Sequence, residues 1–102
     1  MDSYQRRVTI DGDHPALPGH FPDHPVVPGV VILDEVVASL VEAGFEGEPA
    51  GLNGVKFLHP LFPGEAMTVE LVAGEPGQVA FTCTARGGET IAQGRLQLRG
   101  GA

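Results

Sequence analysis

A chain of 102 residues with 42% hydrophobic content suits a single domain with a packed core, residues 1–102, and leaves no length for a second. Thirteen acidic side chains against six basic ones give a formal net charge of −7, which speaks against nucleic acid as a partner because phosphate recognition calls for clustered Lys and Arg. No stretch approaches the roughly 20 apolar residues that span a bilayer, and Met1 to Arg7 lacks the apolar run of an export signal, so a cytoplasmic setting away from membranes is expected.

Tyr4 to Ile10 alternates well enough for a short strand, and Asp11-Gly12-Asp13 ends it with turn chemistry. His14 to Pro28 is irregular. Its five prolines, Pro15, Pro18, Pro22, Pro25 and Pro28, each fix their own φ and disfavour helix in the residue before, so the loop is stiff enough to hold a side chain in place. The pattern then predicts a helix from about Gly29 to about Ala43, with Gly44 as its C-terminal stop. On a helical wheel Asp34, Val37 and Val41 fall within about 40° of Val30, whereas Glu35 and Glu42 point about 120° to 140° away. Asp34 therefore sits inside an apolar stripe. A helix apolar on most faces is wrapped by other structure, which predicts that this stripe is buried.

After a loop from Phe45 to Gly51, four strand-like runs follow: Leu52 to His59, Ala66 to Ala73, Gln78 to Ala85 and Thr90 to Leu98. Pro63-Gly64-Glu65, Gly74 to Gly77 and Gly87-Gly88 separate them with turns short enough to join antiparallel neighbours. Alternation from Val79 to Ala85 puts the lone Cys83 on the inner face of its strand as a structural thiol; one cysteine allows no intrachain disulfide and no metal-type spacing. The fold class read from this order is α+β, a curved antiparallel sheet around one long central helix. So small a core favours association with a second copy.

The chemistry concentrates between Gly19 and Glu35. Eliminating water from a 3-hydroxyacyl thioester needs a base for the α-proton, a donor to polarise the thioester carbonyl and an acid for the departing hydroxide. His20 offers a near-neutral imidazole, and the Gly29 amide opens a helix without a side chain in the way. Asp34, if buried in its stripe, has its pKa raised by desolvation and suits the acid role. Against this, a histidine in a proline-rich turn is often a hydrogen-bonded spacer, and glycine after proline is an ordinary helix-entry residue. His20 and His24 have a His-x3-His spacing, but Pro22 and Pro25 keep them off one helical face, so no metal site is expected. His14 and His59 each adjoin a proline and read as surface or structural. Ser39 lies opposite Asp34 and lacks the glycine elbow of a triad nucleophile.

The run Asp-His-Pro-Ala-Leu-Pro-Gly-His-Phe-Pro-Asp-His-Pro-Val-Val-Pro-Gly-Val-Val-Ile-Leu-Asp resembles the signature of the hot-dog fold β-hydroxyacyl-acyl carrier protein dehydratases, and Gly54 to Glu65 is similar to that family's second segment, a Lys-Phe strand with a Pro-Gly turn. The resemblance implies a single hot-dog domain that gives trans-2-enoyl thioesters in fatty acid or polyketide/polyene biosynthesis. It assigns His20 to the α-carbon, Asp34 to the hydroxyl, directly or through a water, and the Gly29 amide to the thioester oxygen. It further implies a homodimer or higher multiple in which His20 and Asp34 of one site come from different protomers, or a heterodimer with a related subunit. The protein itself would bind no cofactor; the substrate would ride on the phosphopantetheine of an acyl carrier protein, with its acyl chain beside the helix.

In two positions the chain differs from common members. Asp34 stands where the fatty-acid enzymes carry glutamate, as in the branch that also isomerises the new double bond, and Ala38 replaces a frequent glutamine. The short lead before the first strand is similar to the compact dehydratases of polyene and polyketide pathways. Two other readings remain open: a hot-dog thioesterase that activates water with a carboxylate, and a non-catalytic acyl-binding subunit of a heteromeric dehydratase.

Overall fold

The computed structural model describes residues 3–11 and 26–100. Five strands and one helix follow in the order β1 (Ser3–Thr9), α1 (Gly29–Ala43), β2 (Glu48–Phe57), β3 (Ala66–Ala73), β4 (Gln78–Ala85) and β5 (Thr90–Arg99). All strand pairs are antiparallel, in the spatial order β1-β3-β4-β5-β2. Short turns make β3, β4 and β5 successive neighbours, while β1 and β2, which flank the helix in sequence, take the two edges.

Helix α1 has the predicted bounds. Pro28, extended at φ −61° and ψ 146°, leads into it, and Gly44 ends it at φ 79°, its N–H donating to the Val41 carbonyl at 3.1 Å. A residue with a Cβ would resist that left-handed conformation. Strand β2 starts earlier than predicted, at Glu48, despite Pro49. The missing N–H is tolerated because β2 is an edge strand with one unpaired side.

The core lies between α1 and one face of the sheet. Met67, Val69 and Leu71 on β3 and Val79, Phe81 and Cys83 on β4 alternate inward as a half-buried strand should. Cys83 is buried among them, as predicted, and burial pushes its thiol up to about 12. On β5 the alternation breaks: Thr84 pairs with Thr90 and Cys83 with Ala92, so one extra residue bulges and the consecutive Ile91 and Ala92 are both buried.

The orientation of α1 corrects the sequence reading. Val31, Ile32, Val36 and Leu40 enter the core, whereas Asp34 is exposed and its companions Val30 and Val41 are 64% and 70% exposed. Val37, the remaining member of the stripe, is half-buried against the core, so the stripe turns to the outside at Val30, Asp34 and Val41. Two causes are visible. Burying the Ile and Leu side chains removes more apolar area than burying the valine stripe would. In addition, Arg6 on β1 grips the opposite flank of the helix: its Nη1 lies 3.3 Å from Glu35 Oε1 and its Nε 3.1 Å from Glu42 Oε2. The same Nη1 donates to Ser39 Oγ at 3.1 Å, and Ser39 Oγ donates to the Glu35 carbonyl at 2.8 Å. Ser39, fully buried, is thereby satisfied.

Candidate active site

At the start of α1 lies a cleft of about 470 Å³, walled by Val27, Ile32 and Leu61 and edged by Gly29, Phe57 and His59. Backbone bonds fix its two walls relative to each other. Val27 N–H donates to the Leu61 carbonyl at 2.8 Å, and the N–H groups of Leu58 and His59 both donate to the Ile91 carbonyl, at 2.8 and 3.3 Å. The segment entering the helix and the segment leaving β2 are thus tied to each other and to β5.

The helix start is left open. Pro28 provides no side-chain cap and the first turn holds no acidic residue. The Pro28 carbonyl accepts from Val31 and Ile32, at 3.0 and 3.3 Å, which leaves the Gly29 and Val30 N–H groups without a partner among the described residues. Two unpaired donors at the positive end of a helix favour an anion or a polarised carbonyl there. The apolar walls strengthen that attraction by lowering the local dielectric.

A bulge on β2 brings Phe57 to this place. Asn53 pairs with Arg95 and Lys56 with Gln93, so three residues on β2 span what two span on β5. Gly54, at φ 62°, supplies the turn this needs. Because side chains alternate, the extra residue sends Lys56 outward and Phe57 inward, opposite the buried Ala92. The Phe57 ring then stands against Gly29, where a Cβ would meet Cζ at 2.8 Å and Cε1 at 3.0 Å. A side chain at position 29 would have to push the half-exposed ring aside.

Of the three residues assigned to the reaction, the structure places two. Gly29 borders the cleft, and Asp34 lies on the outward face of α1, away from the cleft lining of its own chain. The two are five residues apart, about 140° around the helix. Among the described residues the two line no common cavity, and Asp34 is exposed where its apolar stripe predicts burial. His20, like His14 and His24, lies outside the described residues. Ala38 is exposed on α1.

Sequence reasoning missed two cleft residues. His59 read as a surface histidine, and it is exposed, but it lines the cleft. Phe57 belongs to the Lys-Phe strand of the second segment and carried no assigned role in the site; the Asn-Gly pair Asn53-Gly54 was the signal that its facing would change. Among the described residues no group of His, Cys, Asp and Glu is arranged to hold a metal ion. Nor is any described helix long and apolar enough to cross a membrane. On the outer face of the sheet, Lys56 and Arg95 share a polar groove of about 390 Å³ with Asn53, Thr82 and Gln93, and among the described residues no carboxylate lines it.

Residues 1–95 match the ApeI-like family, described as ApeI dehydratase. The chain is 33% identical over 103 aligned positions to the 3-hydroxyacyl-[acyl-carrier-protein] dehydratase FabZ of Thermomicrobium roseum, covering 89% of this chain and 67% of that protein. It thus spans about two thirds of that relative's length. Among solved structures it is similar to the dehydratase heterocomplex ApeI:P from Xenorhabdus doucetiae, with a TM-score of 0.79 and 25% identity over 95% of this chain and 87% of that one. The R-hydratase PhaJ1 from Pseudomonas aeruginosa shares the hot-dog architecture at a TM-score of 0.75 and 14% identity, covering 94% of this chain and 77% of that chain.

Proposed function

The chain belongs to the ApeI-like dehydratase family and has its hot-dog fold, and from that premise we propose that it removes water from 3-hydroxyacyl thioesters of acyl carrier protein, giving trans-2-enoyl thioesters in fatty acid or polyketide biosynthesis. The observation that carries this reading is the start of α1, where Gly29 borders an apolar cleft of about 470 Å³ and its amide has no partner among the described residues. The thioester oxygen accepts a hydrogen bond from Gly29 N–H, which stabilises the negative charge that gathers there as the α-proton leaves. His20 takes that proton, the electron pair forms the new double bond, and the C–O bond breaks. Asp34 delivers a proton to the departing hydroxide, directly or through a water, so that it leaves as water. No bound cofactor is needed for this sequence.

Because Asp34 faces away from the cleft of its own chain, the reading requires a second subunit to supply it. The exposed valines flanking Asp34 support this: Val30 and Val41 are apolar surface suited to cover by a partner helix or loop. A homodimer fits, and so does a heterodimer with a related chain. Acyl carrier proteins are acidic, and of this chain's six cations Arg6 is engaged by two carboxylates, whereas Lys56 and Arg95 share one groove free of acids. That groove is the docking surface best matched in charge.

The test is incubation with a 3-hydroxyacyl carrier protein and mass analysis of the product. Loss of one water is expected, abolished by His20→Ala and by Asp34→Asn. Release of free acid would favour a thioesterase instead, and binding without turnover a non-catalytic subunit. Mixing the two inactive variants should restore about a quarter of the native activity, because half of randomly formed dimers would carry one intact site of two. No recovery on mixing, with subunit exchange verified, would show that the site is not shared.

A further inference from the structure

We propose that Phe57 determines specificity at the α-carbon of the substrate, admitting unbranched 3-hydroxyacyl thioesters and rejecting those with a 2-methyl group; this rests on the dehydratase reading. Three observations carry it. The ring stands so close to Gly29 that a single added methyl would lie 2.8 Å from Cζ. It is nonetheless 51% exposed, and it borders the same cleft as the Gly29 amide. The bulge at Gly54 is what turns it there, in place of Lys56.

The geometry of carbonyl binding supplies the rest. An oxygen accepting from Gly29 N–H sits about 2.9 Å from the nitrogen. The carbonyl carbon and its α-carbon follow immediately, within the width of the ring. A CH₂ group can lie flat against an aromatic face, and its hydrogens remain available to a base. A tertiary carbon projects a methyl toward the ring or toward the helix end, where Phe57 already stands against Gly29, so the methyl must displace the ring to enter. Leu58 and His59 line the cleft as well, but Phe57 is the lining side chain whose ring stands directly against Gly29, where the reacting end of the substrate is held.

The experiment compares 3-hydroxybutyryl and 2-methyl-3-hydroxybutyryl pantetheine thioesters. In the native protein kcat/KM should favour the unbranched substrate on the order of 100-fold. Phe57→Ala should reduce that ratio to within about fivefold, and Phe57→Leu, which preserves more of the packing on Gly29, should fall between. Calorimetric binding of the stable amide analogues of both compounds provides a readout independent of turnover: tighter binding of the unbranched analogue, at least about tenfold, and near-equal binding in Phe57→Ala. A ratio unchanged by either substitution, equal binding of both analogues to the native protein, or no binding of either would overturn the inference. Discriminating binding without any enoyl product would instead sink the dehydratase reading and leave the assignment of Phe57 standing.

Discussion

Replacing Gly29 by alanine places a methyl 2.8 Å from the Phe57 ring. Because the ring is half-exposed and can swing aside, the expected cost is at most about 1 kcal/mol of stability, and most of it should return in the Gly29→Ala/Phe57→Ala double variant. Chemical denaturation of the four proteins measures that coupling. Asp34 should behave oppositely: being exposed, Asp34→Asn should change stability by no more than about 0.5 kcal/mol while lowering turnover by about 10²- to 10⁴-fold. Cys83 offers a test against pH. Burial raises its thiol from 9.0 to about 12, so the unfolded chain sheds that proton first. Its contribution is fully present below pH 9 and is lost as pH rises from 9 toward 12. The native protein should therefore lose stability over this window more steeply than Cys83→Ala, whose curve should run flatter whatever its offset.

The elements differ in how plainly their residues announce them. The bounds of α1 and the whole of β3 and β4 follow from local signals: Pro28 and Gly44 at the helix ends, strict alternation in Met67 to Leu71 and Val79 to Cys83. The facing of α1 did not follow, because a helix with valine, isoleucine and leucine around most of its circumference has no local signal for which side meets the sheet. The side with the larger apolar area faces the sheet, and Arg6, about thirty residues away, holds the adjoining flank through Glu35, Ser39 and Glu42. The start of β2 was hidden for a related reason, since Pro49 is acceptable only at an edge and edge position is decided by the complete sheet. Of the site, the first motif supplied Gly29 and Asp34, whereas the second segment, Gly54 to Glu65, contains Phe57 and His59 without marking them as cleft residues, since it is pairing with β5 that carries them there. Arg6→Met should loosen the helix by about 1 kcal/mol in denaturation experiments, because it removes the cation that two partly exposed carboxylates share, while Ser39 keeps its bond to the Glu35 carbonyl. Val30→Glu with Val41→Glu should leave the single chain folded while shifting sedimentation toward monomer and abolishing turnover; an unchanged dimer would clear this face of any role in assembly.

At the scale of the molecule, an acidic protein is proposed to engage an acidic partner, and the long-range field opposes them. Lys56→Glu with Arg95→Glu should raise KM for carrier-bound substrate about tenfold or more at low salt, and leave KM for a pantetheine thioester unchanged. An equal effect on both would place the docking surface elsewhere. The two working faces of α1 have a further consequence. In a shared-site dimer each helix would lend its Gly29 amide to one reaction centre and its Asp34 carboxylate to the other, within one rigid rod about 7.5 Å apart along its axis. Any displacement that a substrate imposes on the amide at the first centre is then imposed on the acid at the second. Such a pair of centres is built to show cooperativity, and rate curves that depart from simple saturation, or occupancy that stops at one acyl chain per dimer, would be its signature.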